Sequence, residues 1–298
     1  MHQGSKPTVV CRTALPKDTP DVMELTKTIW DGEDYVPYVW SEWLGDPEGL
    51  LAVAEFGARV VGLSKLTRLG PAEWWLEGLR VHPDFEGRGF ASHLHDYLLD
   101  YWQRIGSGVI RLGTASFRKP VQHLCERTGF SKVAEYSIFS APTLPEIDPN
   151  STGSKFTPLV IDEVNSAVDL ARQSPSMDLV YGLMDTGWKW ATPDKQHIQA
   201  AIQTSQAWWW HKPRGLLILR SEEEKGIKSA VIQLIACPVS EMVQCLGDFR
   251  QLAGINGYDR TGWLAGLHPD LSPILQEAGL HRDWDDSIYI YEKKHSLP

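Results

Sequence analysis

The segment Leu79-Arg80-Val81-His82-Pro83-Asp84-Phe85-Glu86-Gly87-Arg88-Gly89-Phe90-Ala91 constrains this chain more than any other. Glu73 to Val81 is apolar-rich and reads as a strand. Pro83 stops it by removing a backbone donor and biasing His82 to extended geometry. Phe90, Leu94, Tyr97, Leu98, Tyr101 and Trp102 then recur at helical spacing, which predicts a helix from Gly89 to about Gln103. Between strand and helix, Gly87 and Gly89 let the backbone approach a ligand with several N–H groups turned toward it. Such a nest at a helix N-terminus suits phosphate, and Arg88 adds a cation. A Walker loop is excluded because no Gly-Lys-Ser/Thr ending is present, and a dinucleotide fingerprint because the third spaced glycine is missing.

The flanks predict a strand (Thr8 to Leu15), two helices (about Asp21 to Trp30 and Pro37 to Leu44) and a hairpin, Leu50 to Glu55 with Arg59 to Leu66, turned at Phe56-Gly57. After the loop helix come a strand (Val109 to Gly113), a helix (Lys119 to Thr128) and a strand (Phe130 to Phe139). This order, with Glu86-Gly87-Arg88-Gly89-Phe90-Ala91 and Leu124-Cys125-Glu126-Arg127-Thr128-Gly129-Phe130, resembles the GCN5-related N-acetyltransferase (GNAT) superfamily over about the first half of the chain. Glu86 departs from the Gln or Arg usual in that loop. Ile29 to Pro37, Trp43 to Pro47 and Glu77 to Val81 are similar to the vertebrate histidine N-acetyltransferases.

The resemblance implies an α+β fold, with a mixed, mostly antiparallel sheet flanked by helices. It also implies acetyl-CoA as co-substrate. In that family the strand before the loop splays from its neighbour and pantetheine pairs with its backbone. Leu79, Arg80 and Val81 are thereby assigned to pantetheine, and Glu86, Gly87, Arg88, Gly89, Phe90, Ala91 and Ser92 to the diphosphate. Period-two alternation would put Glu77 on the face of Leu79 and Val81, toward the cleft, as the base that takes the amine proton; the alternative is an edge carboxylate. Cys125 stands where the family usually has an acid tyrosine, and reads either as that acid or as a small buried residue; Tyr136 or water is the other candidate. Asp31, Glu33, Asp34 and Tyr35 fall in the helix connection that lines the family's acceptor pocket, and Asp34 can instead cap the following helix.

At 298 residues the chain has room for two cores. Pro142, Pro145, Pro149 and Asn150-Ser151-Thr152-Gly153-Ser154 mark a linker, which predicts a catalytic domain over 1–145, a linker at 146–157 and a second domain over 158–298. The second half repeats the first faintly. Gly129-Phe130 and Ser137-Ile138-Phe139 recur 150 positions later as Gly279-Leu280 and Ser287-Ile288-Tyr289. Gly215 to Arg220 and Ser229 to Ala236 read as a hairpin, but Cys237-Pro238-Val239-Ser240 replaces the glycine loop before the helix near Glu241 to Ala253. This reads as a degenerate acetyltransferase-like copy, the alternative being a chance similarity in an unrelated α+β domain, and Trp208, Trp209, Trp210 and Trp263 are expected to bury it against the first domain.

A formal charge of −9 argues against nucleic acid or an anionic membrane as the main partner. No apolar run is long enough to span a bilayer and Met1 to Val10 lacks a signal core, so a cytoplasmic location is expected. Cys11, Cys125, Cys237 and Cys245 are scattered, which suggests reduced thiols and no metal site. The expected activity is acetyl transfer to a small amine or amino acid; the alternatives are a non-catalytic acyl-CoA sensor or a peptide acetyltransferase.

Overall fold

The computed structural model describes residues 8–27, 29–145 and 155–295. The chain parts into two compact units, Met1–Gly113 with Pro120–Ser131 and Tyr291–Pro298, and Thr114–Lys119 with Lys132–Ile290. The division therefore does not follow the predicted boundary at 146–157, of which 146–154 lie outside the described residues. The reason is strand pairing. The strand β6 (Ser131–Pro142) runs antiparallel to a strand of the second half, from Tyr136 opposite Gly266 to Pro142 opposite Arg260. The first unit instead counts the chain's last residues, from Tyr291, among its own.

The first unit orders its strands β1 (Val10–Thr13), β2 (Leu50–Phe56), β3 (Arg59–Gly70), β4 (Glu73–Val81) and β5 (Val109–Ala115). All neighbours are antiparallel except β4 and β5. The β2–β3 turn places Gly57 and Ala58 at φ 59° and 63°, the doubly left-handed turn whose twist suits a hairpin. Helices α1 (Thr19–Thr26) and α2 (Val36–Gly45) cover one sheet face, with Val22, Leu25, Trp40 and Trp43 packed on Leu51, Val53 and Leu63. Helix α3 (Phe90–Ile105) buries Phe90, Leu94, Leu98, Leu99 and Trp102, one stripe at helical spacing. Helix α4 (Lys119–Arg127) ends at Gly129, whose φ of 80° turns the chain out of the helix.

The second unit contains β6, β7 (Phe156–Pro158), α5 (Val164–Gln173), the short pair β8 (Met184–Asp185) and β9 (Trp190–Ala191), and α6 (Lys195–Gln203). It continues with β10 (Ala207–Trp210), β11 (Gly215–Glu224), β12 (Ile227–Ala236), α7 (Met242–Ile255), β13 (Arg260–Gly266), α8 (Leu271–Glu277) and β14 (His281–Arg282). The last strand, β15 (Ile288–Lys294), starts in this unit and ends in the first. Its strands lie in the order β6-β13-β12-β11-β10-β7. β12 and β13 run parallel, as β4 and β5 do in the first unit. Gly279 after α8 has φ 74°, matching Gly129 after α4, so the 150-residue repeat marks equivalent helix exits.

Trp209, Trp210 and Trp263 are buried, and the indoles of Trp209 and Trp210 donate to Glu163 and Asp248 of the second unit itself, at 2.8 and 2.9 Å. They form that unit's own core, where an indole N–H needs an acceptor. Among the described residues no helix is long and apolar enough to cross a membrane, and no group of three or more His, Cys, Asp or Glu is placed to hold a metal.

Candidate functional site

β4 and β5 pair from Glu73 opposite Val109 to Leu76 opposite Leu112, and no further. β4 goes on pairing with β3 as far as Val81 after its pairing with β5 has ended, so main-chain groups on that edge can meet a ligand. The splay leads directly into the loop. Pro83–Phe85 forms a short 3₁₀ turn, and Glu86, Gly87, Arg88 and Gly89 follow, all exposed. Gly87 and Gly89 have φ of 72° and 83°, and a Cβ on either would meet nothing within 4 Å. The backbone is left-handed with open space beside it, which fits a cradle for an anion. Gly89 is the N-cap of α3 and the first helical bond is His93 N–H to Gly89 O, so the amides of Phe90, Ala91 and Ser92 precede the hydrogen-bonded turn. Phe90 contributes only backbone, because its ring is buried against Phe56 and Phe85. The guanidinium of Arg88 stands 5.1 Å from the Phe85 ring.

The alternation used to orient Glu77 is broken by a bulge. Lys65 lies opposite Glu77 and Leu63 opposite Arg80, so two residues along β3 match three along β4. Leu63 and Lys65 share a face, and so must Glu77 and Arg80. Gly78 carries the irregularity at φ 67°; a Cβ there would lie 2.6 Å from the Trp43 ring. Val81 points the other way, opposite Gly62, beside Leu94 of α3. Glu77 therefore does not share a face with Val81. It lies on the α1–α2 face, and its Oε1 accepts a hydrogen bond from Thr67 Oγ1 at 2.5 Å.

The same face corrects the assignments of Arg80 and Asp34. Arg80 is 8% exposed and donates from Nε and Nη2 to the two oxygens of Asp34, each at 3.0 Å. Its side chain is turned into this pair, so only its backbone is available to pantetheine. Asp34 is 1% exposed and also accepts from Val36 N–H at 3.1 Å, tying down the start of α2. A carboxylate held this way is structural and is not an acceptor ligand. The Trp30 and Tyr35 rings flank the guanidinium at 4.4 and 5.2 Å. Tyr35 has an exposed ring edge, yet burial pushes its hydroxyl up, opposed by Arg80 and reinforced by Glu77 and Asp34. Asp31 and Glu33 are exposed in the same connection, where Trp30, Asp31 and Gly32 all have positive φ.

Cys125 faces the core of the first unit with no exposure, and burial pushes its thiol up to about 12. A thiol so raised donates a proton less readily than a free one near pKa ~8.5, so Cys125 leaves the catalytic set. The hydroxyl of Tyr136, in the second unit, is given to Val180 O at 2.7 Å. Thr67, Trp30 and Trp43 escaped sequence reasoning. The isolated Gly78 in a strand was the available signal for the bulge.

In the second unit β12 likewise pairs with β13 only from Ser229 to Ile232. Beyond that point the chain occupies the strand end itself. Ser176 Oγ donates to Ile235 O and accepts from Cys237 N–H, and Ser174 Oγ donates to Cys237 O.

A protein-family model described as Acetyltransferase (GNAT) family matches residues 19–130, which contain the splayed strand, the glycine loop and the α1–α2 face. The chain carries a GNAT-family domain. Human "Probable N-acetyltransferase 16" is 26% identical over 211 residues, 65% of this chain and 57% of that protein. "Histidine N-acetyltransferase" of Oreochromis niloticus is 32% identical over 82 residues, 27% of this chain and 24% of that protein. The chain thus spans about half of the first of these curated relatives and a quarter of the second. The fold likeness runs further. The "GCN5-related N-Acetyltransferase from Sphaerobacter thermophilus" superposes with a TM-score of 0.65 at 11% identity, over 98% of each chain. The "Tandem GNAT protein from the clavulanic acid biosynthesis pathway" gives 0.59 at 11% identity, over 98% of this chain and 100% of its own. The GNAT fold therefore extends past residue 130, in a tandem arrangement.

Proposed function

We propose that this chain is an acetyl-CoA-dependent N-acetyltransferase acting on a primary amine of a small molecule or amino acid, with the chemistry in the first unit. The observation that carries the reading is the opening of β4 from β5 immediately ahead of two left-handed glycines at the start of α3. Gly87 to Ser92 would hold the diphosphate by backbone amides and the helix dipole, and the β4 edge from Leu79 to Val81, past its pairing with β5, would pair with pantetheine. Acetyl-CoA supplies the thioester. Binding both reactants in one cleft provides much of the rate, and Glu77 takes the proton from the attacking amine. The departing thiolate, conjugate to an acid of pKa about 8.5, needs no buried protein acid. Trp30 and Tyr35, both part-exposed, give this face an aromatic rim, and Asp31 and Glu33 add negative potential. That combination favours a small cationic or flat acceptor. The names of the relatives, N-acetyltransferase and histidine N-acetyltransferase, are in line with amine acylation.

A free-thiol assay with acetyl-CoA against amino acids and polyamines tests the reading. At least one amine should release thiol, and Glu77→Gln should slow that release roughly a hundredfold at neutral pH with CoA affinity kept. CoA binding without thiol release on any amine would favour the sensor alternative; an undiminished Glu77→Gln rate would remove Glu77 as base.

A further inference from the structure

We infer that Thr67 is a positioning residue for Glu77, holding its carboxylate in one orientation for proton transfer; this rests on the reading of Glu77 as base. Thr67 sits on β3 opposite Trp75, two residues from Lys65, which is opposite Glu77, so Thr67 and Glu77 share the α1–α2 face. Its Oγ1 lies 2.5 Å from Glu77 Oε1, within the range for a hydroxyl donating to a charged oxygen. Glu77 also lies just past the last residue of β4 that pairs with β5.

Several ion pairs lie on the neighbouring residues. Lys65 Nζ is engaged by Asp46. Arg80 is paired with Asp34, and Glu73 with Arg111, which also meets Glu292. The charge of Glu77 is felt by the Tyr35 hydroxyl of the α1–α2 connection, whose pKa it helps to raise. Thr67 thus gives Glu77 an uncharged donor. A lysine or arginine in its place would neutralise the carboxylate and repel an ammonium acceptor. A hydroxyl fixes the orientation of the carboxylate and adds no positive charge beside the amine.

The test compares Thr67→Val, Thr67→Ala, Thr67→Ser and Glu77→Gln in steady-state acetyl transfer across the acid and neutral range. Thr67→Val should lower kcat about tenfold. The KM for acetyl-CoA should stay within about twofold, and Thr67→Ser should restore the rate. Should the valine variant fail to fold, Thr67→Ala reads the same loss. An undiminished kcat in the valine and alanine variants, or a serine variant that restores nothing, overturns the positioning role while a slow Glu77→Gln leaves the base reading standing. A fast Glu77→Gln removes the base reading, and the role of Thr67 falls with it.

Discussion

Replacing Gly89 by glutamate tests the anion seat with little risk to the fold. Gly89 has φ 83°, so any L side chain there pays roughly 1–2 kcal/mol of backbone strain. No heavy atom lies within 4 Å of the added Cβ, so no packing penalty is added. A domain with about 5–15 kcal/mol of stability tolerates that. Binding is affected far more. A carboxylate about 4 Å from a phosphate charge costs ~4 kcal/mol at the dielectric of a protein surface, before screening by salt. If only a third survives, about 1.4 kcal/mol, CoA affinity falls tenfold. Calorimetric titration with CoA should therefore show Kd raised at least tenfold in Gly89→Glu, with a melting curve close to the parent's. Gly89→Ala carries the same backbone cost without the charge and should keep most of the affinity. An unchanged Kd in the glutamate variant would refute the assignment of this loop to the diphosphate.

Asp34→Ala should cost roughly 3–5 kcal/mol in denaturant unfolding, because it strands the buried Arg80 guanidinium and frees Val36 N–H; a loss below about 1 kcal/mol would refute the structural role given to the pair. His95 is buried against Thr128 and Phe130, and burial lowers its pKa to about 4 from 6.5. The unfolded chain then binds the extra proton between those values, so stability is full above about 6.5 and is lost as pH falls toward 4, by up to roughly 3 kcal/mol. Melting temperature followed over that window should drop in the parent and drop less in His95→Gln; equal slopes would assign the acid sensitivity elsewhere. Titration of the whole chain should give one CoA per polypeptide, since Ser174 and Ser176 already occupy the end of β12 in the second unit; two equivalent sites would overturn that reading.

The local parts of this protein were legible in its sequence. Gly87 and Gly89 announce left-handed backbone before a helix, because only glycine enters that region without cost. The stripe from Phe90 to Trp102 defines α3, and Gly129 and Gly279 mark two equivalent helix ends 150 residues apart. Each of these depends on backbone preferences within a few residues. Which side chains meet was decided by tertiary structure. One extra residue at Gly78 rotates Glu77 away from the face of Val81 and sets it beside Thr67, and a two-residue period carries no trace of that shift. Asp34 finds Arg80 across 46 positions, converting an expected acceptor ligand into a buried counter-ion. The tryptophans at 209 and 210 were recognisable as core, but their partners, Glu163 and Asp248, are set by the second unit's own packing. Strand β6 likewise joins the second unit because Tyr136 to Pro142 pairs with β13, a choice made by register between distant segments. Local conformation is written in neighbouring residues; pairing across the chain is settled only when the sheet forms and selects one register among many.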